Sequence, residues 1–169
     1  MRNKTGLIFG LGVGLALSSG WAWAHHTDAV YDMTRMTVVK GTVTQHDLVN
    51  PHQIIRMKAK DANGDVTVWT LVGAAVSANR EAGWTKETLK PGDEITALGF
   101  AYRDGKPNMT WMRIVTADGK LLPISGAKND KLARYLETYG KEQLSPEDYE
   151  VFKKSLTYVG TSGLDQQRR

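Results

Sequence analysis

The sequence predicts a mainly β fold: a small OB-like barrel of five or six strands with one short helix, followed by a C-terminal helical hairpin. Three observations predict it. Short β-branched segments alternate with Gly-, Asn- and Pro-containing turns over the first two thirds of the chain. A short helical stretch lies between the third and fourth segments, where a helix closes one end of an OB barrel. The last third carries apolar residues at helical spacing. An open sandwich is the alternative arrangement.

The strands are predicted from β-branched, alternating runs that end at turn residues. They cover 37–47, 52–60, 66–71, 94–102 and 109–116, with 120–124 as the candidate sixth strand. Gly41 inside the first strand indicates a bulge or a sharp bend of the barrel. Asn63-Gly64 favours a hairpin turn between the second and third strands. Residues 25–36 are expected to form a partly ordered segment that leads into the first strand.

The predicted helix covers 74–82 and ends at Gly83, and Trp84 after it is expected to fill the core. The hairpin is predicted over 127–160. Leu132, Tyr135, Leu136 and Tyr139 recur at helical spacing in its first helix, which is expected to end at Gly140. Ser145-Pro146 is typical of the start of a second helix, whose apolar stripe includes Phe152. We expect the hairpin to pack on the barrel, the alternative being an arm that docks on a partner. Residues 161–169 are expected to form a flexible tail.

Residues 1–24 are typical of a cleavable signal peptide. A basic start with Arg2 and Lys4 precedes an apolar run over 6–17, and Ala22-Trp23-Ala24 places small residues before the cleavage point. Cleavage between Ala24 and His25 would leave 25–126 as the barrel domain. The apolar run of about twelve residues is short for a membrane anchor, which takes roughly 20. We therefore expect a periplasmic or secreted protein with no membrane contact after cleavage.

Composition excludes several function classes. The chain has no Cys, which excludes thiol catalysis, thiolate metal sites and disulfides. Its net charge is only +4, and the basic residues are scattered among acidic ones, so no nucleic-acid partner is expected. No Gly-x-Ser-x-Gly pattern or other nucleophile constellation occurs. We therefore expect a non-enzymatic protein.

Several short motifs together resemble a known family. They are Ala24-His25-His26 at the predicted mature start, Asn50-Pro51-His52, Gly83-Trp84-Thr85, and the run from Leu89 to Glu94 that contains Lys90-Pro91-Gly92-Asp93. The chain resembles, over about 25–122, a family of small exported bacterial proteins known only as a domain of unknown function. The resemblance implies a secreted or periplasmic single domain of a Gram-negative bacterium. It implies no established activity.

The four histidines are His25, His26, His46 and His52, and they suggest a copper site. Cleavage after Ala24 would make His25 the N-terminal residue, whose amine and ring nitrogen can chelate one ion. His52 or His46 would then complete a three-nitrogen site suited to Cu(II), with His26 as a further donor. The alternative is that the His pair is a polar mature start and that His52 only begins a strand after a structural turn.

The sequence therefore favours an exported binding or accessory protein, with Cu(II) as the candidate cofactor. The alternative is a metal-free module that grips a protein of the cell envelope through a barrel face or the helical hairpin. Four aromatic residues on or near strands could stack on a ligand or fill the core, and core packing is the favoured interpretation. These residues are Trp69, Trp84, Tyr102 and Trp111.

Overall fold

The computed structural model describes residues 28–61 and 63–157. The predicted signal peptide, His25, His26 and the tail at 161–169 lie outside the described residues. No helix in the described part of the chain is long and apolar enough to cross a membrane.

Five strands form a closed barrel in the order β1-β2-β3-β5-β4. Neighbouring strands are antiparallel except β3 and β5, which run parallel. The strand bounds are Tyr31–Leu48 for β1, His52–Lys60 for β2, Val66–Ala75 for β3, Glu94–Tyr102 for β4 and Asn108–Thr116 for β5. The helix α1, Val76–Glu81, lies between β3 and β4. The OB-like prediction is therefore confirmed.

The predicted bounds of β2 and β4 agree with the structure, whereas the predicted first and third strands are shorter than β1 and β3. The expected lead-in is wrong from Tyr31 onward, because β1 begins there and Tyr31 pairs with Tyr102 of β4. The β1–β4 register shifts between Tyr31 and Met36, so this part of β1 lacks the alternation from which a strand is predicted. In β3, the run Val72–Ala75 continues past the predicted end and takes the first two residues of the predicted helix.

Gly41 lies where β1 pairs with two strands at once. It pairs with Ala59 of β2 on one side and with Ile95 of β4 on the other. A Cβ atom at Gly41 would lie 2.2 Å from the backbone oxygen of Lys58, so only glycine allows the strands to approach this closely. The predicted bend stays a prediction, and the bulge between β1 and β2 lies farther on, between Val43 and Gln45.

The candidate sixth strand is absent from the described barrel. Segment 120–124 makes a single bridge, between Leu121 and Val115 of β5. Leu122 and Ile124 are buried in the barrel core, and the carbonyl of Pro123 accepts a hydrogen bond from the indole nitrogen of Trp84 at 2.7 Å. The segment therefore closes the end of the barrel, and Trp84 fills the core as predicted.

The C-terminal third forms a helical hairpin that packs on the outside of the barrel. Helix α2 covers Gly126–Tyr135 and continues through one π-helical turn, Leu136–Gly140, into α3, Lys141–Gln143. Helix α4, Pro146–Lys154, begins at the predicted Ser145 cap, whose hydroxyl accepts from the Asp148 N–H at 3.1 Å. A second core lies between hairpin and barrel. Its central members are Met36, Leu98, Phe100, Met112, Leu132, Leu136 and Phe152.

Gly140 does not end the first hairpin helix, contrary to prediction. Its backbone is right-handed helical, and the helix runs on to Gln143. Its lack of a side chain instead makes room for α4, because a Cβ atom there would lie 2.9 Å from the ring of Tyr149 and 3.2 Å from Leu136. Glycine at this position therefore serves close helix packing.

The substitution Gly140→Ala should lower the free energy of unfolding by about 1 kcal/mol. Displacing the Tyr149 ring costs more than the roughly 1 kcal/mol that alanine contributes to an exposed helix. Urea unfolding of the single and double variants with Tyr149→Ala measures the coupling. Stabilisation by Gly140→Ala in the wild-type background would contradict this packing role.

Candidate binding groove

A groove opens into the barrel between the first half of β1 and the first half of β3. It consists of two adjoining hollows of about 420 and 690 Å³, both lined by Val38, Trp69 and Gly105. Gly105 belongs to the β4–β5 loop. In an OB barrel, this loop and the β2–β3 face form the usual ligand surface. The groove is therefore the candidate functional site.

The groove exists because β3 and β5 pair over only a short distance. Their register covers Thr70 to Val72, and no residue of β3 before Thr70 is paired with β5. Trp69 is the last residue before that pairing begins. Its indole is half-buried, packs against the barrel core on one side and lines both hollows on the other. An aromatic surface is thus held rigidly at an opening.

Charged side chains surround this aromatic surface. Arg35, Arg103 and Lys106 line the first hollow with Asp32, whereas Lys40 and Lys60 line the second with Asp61 and Asp148. Lys106 pairs with Asp104 at 2.7 Å, and Lys40 pairs with Asp148 at 2.9 Å. The groove therefore joins an apolar floor to a charged rim.

The other predicted aromatics divide into two groups. Trp84 and Trp111 are 2% and 0% exposed and lie in the barrel core, 5.5 Å apart between ring centroids. The favoured core interpretation is therefore confirmed for these two. Tyr102 is half-buried and lines the first hollow with Trp69. The core interpretation is incomplete for Trp69 and Tyr102, because each also presents a surface to the groove.

His46 belongs to a polar network at the other end of the barrel. The side chain of Asn79 donates to Gln53 Oε1 at 3.0 Å, and Gln53 Nε2 lies 2.9 Å from His46 Nε2. Since the Gln53 oxygen accepts from Asn79, its nitrogen donates to His46, which fixes the imidazole with its proton on Nδ1. Gln53 and Asn79 are 0% and 3% exposed. The network connects β1, β2 and α1.

The protonation of His46 is suppressed by this setting. Burial lowers the pKa of the imidazole below 6.5, although the nearby backbone of Leu89 and Lys86 and the charge of Asp47 act against that. Nδ1 is buried without a hydrogen bond of normal geometry. Neither ring nitrogen is therefore open to a ligand from solvent while the Gln53 bond is intact.

Two of the four predicted copper ligands lie in the described part of the chain. His52 is exposed at the start of β2, next to the turn that contains a cis Asn50–Pro51 bond. Within residues 28–61 and 63–157, no three His, Cys, Asp or Glu side chains form a group that could hold a metal ion. Asp28, the first described residue, lies just before the start of β1, whereas His46 lies near the end of that strand. The copper site stays a prediction.

Comparison with known proteins places the chain among its relatives. The model of a family described as a family of unknown function, DUF6152, matches residues 14–111. The chain belongs to this family. A search of curated proteins finds no match. Among solved structures, the chain is similar to the mitochondrial single-stranded DNA-binding protein Rim1 of S. cerevisiae, with 9% identity and a TM-score of 0.37 over 53% of this chain and 95% of that one.

Sequence reasoning missed two cations on the far side of the barrel. Arg113 on β5 is 0% exposed and donates to groups of the hairpin. Lys128 on α2 places its Nζ 3.3 Å from the centroid of the Trp111 ring. Burial, followed by the nearby charges of Arg113 and Lys131, lowers the pKa of Lys128 to about 7. Their positions depend on how the hairpin folds back, which no local pattern encodes.

Proposed function

We propose that this family member is an exported, non-enzymatic binding or accessory protein that holds its ligand in the groove beside Trp69. The observation that carries the proposal is the half-buried indole at the opening between β1, β3 and the β4–β5 loop. A rigid aromatic surface with a charged rim is typical of a binding site and requires no reacting group.

Two features support the barrel face over the helical hairpin as the binding surface. The apolar stripe of the hairpin is already used, since Leu132, Leu136 and Phe152 are at most 2% exposed against the barrel. The groove, by contrast, leaves the Trp69 ring and the aliphatic side chain of Val38 accessible. A ligand there would gain apolar contact from the floor and ionic contact from Arg35, Arg103 or Lys60.

Export is the second part of the proposal. The basic start, the apolar run over 6–17 and the small residues before His25 support a cleaved signal peptide and a periplasmic or secreted location. Mass determination of the protein recovered from the periplasm of its bacterial host tests this part, and we expect a mature chain that begins at His25.

Site-specific crosslinking tests the groove. A photoreactive benzoylphenylalanine replaces Thr67, which lines the second hollow, and Lys86, exposed at the other end of the barrel, serves as the matched position. We expect a discrete crosslinked product in host cells from position 67 and none from position 86. The substitution Trp69→Leu keeps an apolar side chain but removes the ring, and it should abolish most of that product. Equal products from both positions would contradict a ligand in the groove.

A further inference from the structure

The first part of β3 offers a free sheet edge. The N–H of Thr70 donates to the carbonyl of Pro107 on the β5 side at 3.0 Å. Because backbone groups alternate in direction along a strand, those of Val66 and Val68 point to the same side. The β3–β5 register begins only at Thr70, so no described strand pairs with these two residues there. Their other neighbour, β2, pairs with the opposite edge.

The same two residues are exposed valines. Val66 and Val68 are 58% and 49% exposed, among the largest apolar exposures in the described part of the chain. Lys60 and Lys58 of β2 lie directly opposite them in register and are exposed on the same face. Arg56 occupies the next outward position of β2. Lys58 and Lys60 thus lie on the outer face one strand away from the free edge, whereas Arg56 pairs with Asp47 of β1 at 3.5 Å.

We propose that β3 binds an extended, acidic segment of a partner protein, which adds to the sheet as a strand along Val66 and Val68. This inference rests on the proposed function and names the class of partner. The backbone of the segment pairs with the free N–H and C=O groups of the two valines. Its inward side chains enter the groove beside Trp69, and its outward side chains lie on the valine and lysine face.

Strand addition fits the chemistry of this edge. Main-chain hydrogen bonds supply affinity in this mode, and alternate side chains supply specificity. Here the inward positions meet an apolar floor formed by Val39, Ala59 and Trp69. The outward positions lie one strand beyond β3, about 10 Å from β2. The lysine side chains at positions 58 and 60 are long enough for their ammonium groups to meet glutamate carboxylates across that distance.

The acidic residues of this chain near the free edge do not cancel its preference for an acidic partner segment. The Asp61 carboxylate accepts from the backbone N–H groups of Asn63 and Asp65, at 2.8 and 3.0 Å, and so belongs to the hairpin turn. Asp148 across the second hollow pairs with Lys40. Asp65 is exposed at the same hairpin turn, before the first free position of β3. The partner segment therefore alternates acidic and apolar residues.

The test uses the mature full chain and a synthetic seven-residue peptide that alternates glutamate and valine, followed by amide NMR. We expect saturable shifts at Val66, Val68 and the Trp69 indole. The substitution Val68→Pro removes the N–H that points to the free edge and leaves the hydrogen bonds to β2 in place. It should weaken peptide binding at least tenfold. Val68→Thr keeps the N–H and serves as its matched control, with binding within twofold of the wild type.

Charge is tested separately. The double variant Lys58→Glu/Lys60→Glu should bind the peptide at least tenfold more weakly than the wild type. The control variant Lys86→Glu, at the far end of the barrel, should bind it as the wild type does. Binding that Val68→Pro leaves unchanged, or no binding at millimolar peptide, would overturn strand addition. If the amide signals of Val66 and Val68 shift with protein concentration in the absence of peptide, the edge pairs with a second copy of this chain, and the proposal of an acidic partner is overturned. If the crosslink from position 67 persists in the Val68→Pro variant, the groove still binds a ligand, and only the proposal of strand addition fails.

Discussion

Replacing Arg113 with alanine should lower the free energy of unfolding by about 4 kcal/mol, the largest single effect we expect in the described residues. Among the described residues, the buried guanidinium donates to four oxygens of the segments that follow β5. Its bonds are Nε to Ser155 Oγ at 3.1 Å, Nη2 to the Ser155 carbonyl at 2.6 Å, Nη2 to Asn129 Oδ1 at 2.9 Å and Nη1 to the Leu122 carbonyl at 3.4 Å. Alanine would leave these acceptors buried and would open a cavity.

The loss of stability should come mainly from the several N–H donors of the guanidinium group and less from its charge. Arg113→Lys keeps the charge, but one ammonium nitrogen cannot replace Nε, Nη1 and Nη2, which donate at once to Ser155, Leu122 and Asn129. We expect it to recover less than half of the loss. Ser155→Ala removes one acceptor and should cost about 1 kcal/mol. Urea unfolding followed by circular dichroism measures all three variants. A loss below 1 kcal/mol for Arg113→Ala would show that the hairpin does not depend on this anchor.

Local patterns predicted those parts of the fold that local chemistry decides. The bounds of β2 and β4 agree with the prediction because both strands end at turns, and β2 also alternates regularly between buried and exposed residues. The cap at Ser145 was visible for the same reason. The start of β1 and the role of Gly140 were not, because each depends on a distant partner. Those partners are β4 for Tyr31 and the Tyr149 ring for Gly140.

The candidate site was only partly predictable, for a related reason. Sequence alone marked Trp69 as an aromatic residue on a strand, but whether its ring is core or surface depends on where β3 separates from β5. The histidine pattern offered His46, as an alternative to His52, as the second ligand beside His25, but the fold encloses the ring nitrogens of His46 in a network with Gln53. Spacing along a chain does not say whether a polar group already has a partner.

Replacing Lys128 with methionine should stabilise the protein by about 2 kcal/mol at pH 6. The side chain of Lys128 is half-buried, and its ammonium group lies on the face of Trp111, which is fully buried. The cationic form is penalised by burial and by the positive charge of Arg113, and its pKa is lowered to about 7. Methionine keeps the apolar length of the side chain and removes the charge. The attraction between cation and indole offsets part of the penalty.

The pH dependence of this gain follows from the direction of the pKa shift. In the unfolded chain Lys128 binds its proton up to about pH 10.4, whereas the folded protein releases it near pH 7. The wild type therefore becomes more stable as the pH rises from 7 toward 10, by about 1.4 kcal/mol per pH unit, and the advantage of Lys128→Met should vanish by about pH 9. The lowered pKa of His46 acts in a different window, since it removes stability as the pH falls below 6.5.

Unfolding of wild type, Lys128→Met and Lys120→Met across pH 5.5 to 9.5 separates these contributions. Lys120 is exposed, so its variant should follow the wild type at every pH. The difference between Lys128→Met and wild type should be constant below pH 6.5, where the folded and unfolded forms of Lys128 are both charged, and should decline above pH 7. His46 cancels from that difference because both proteins retain it. A difference independent of pH would mean that Lys128 keeps its proton on the Trp111 ring, and that the indole stabilises the cation by as much as burial opposes it.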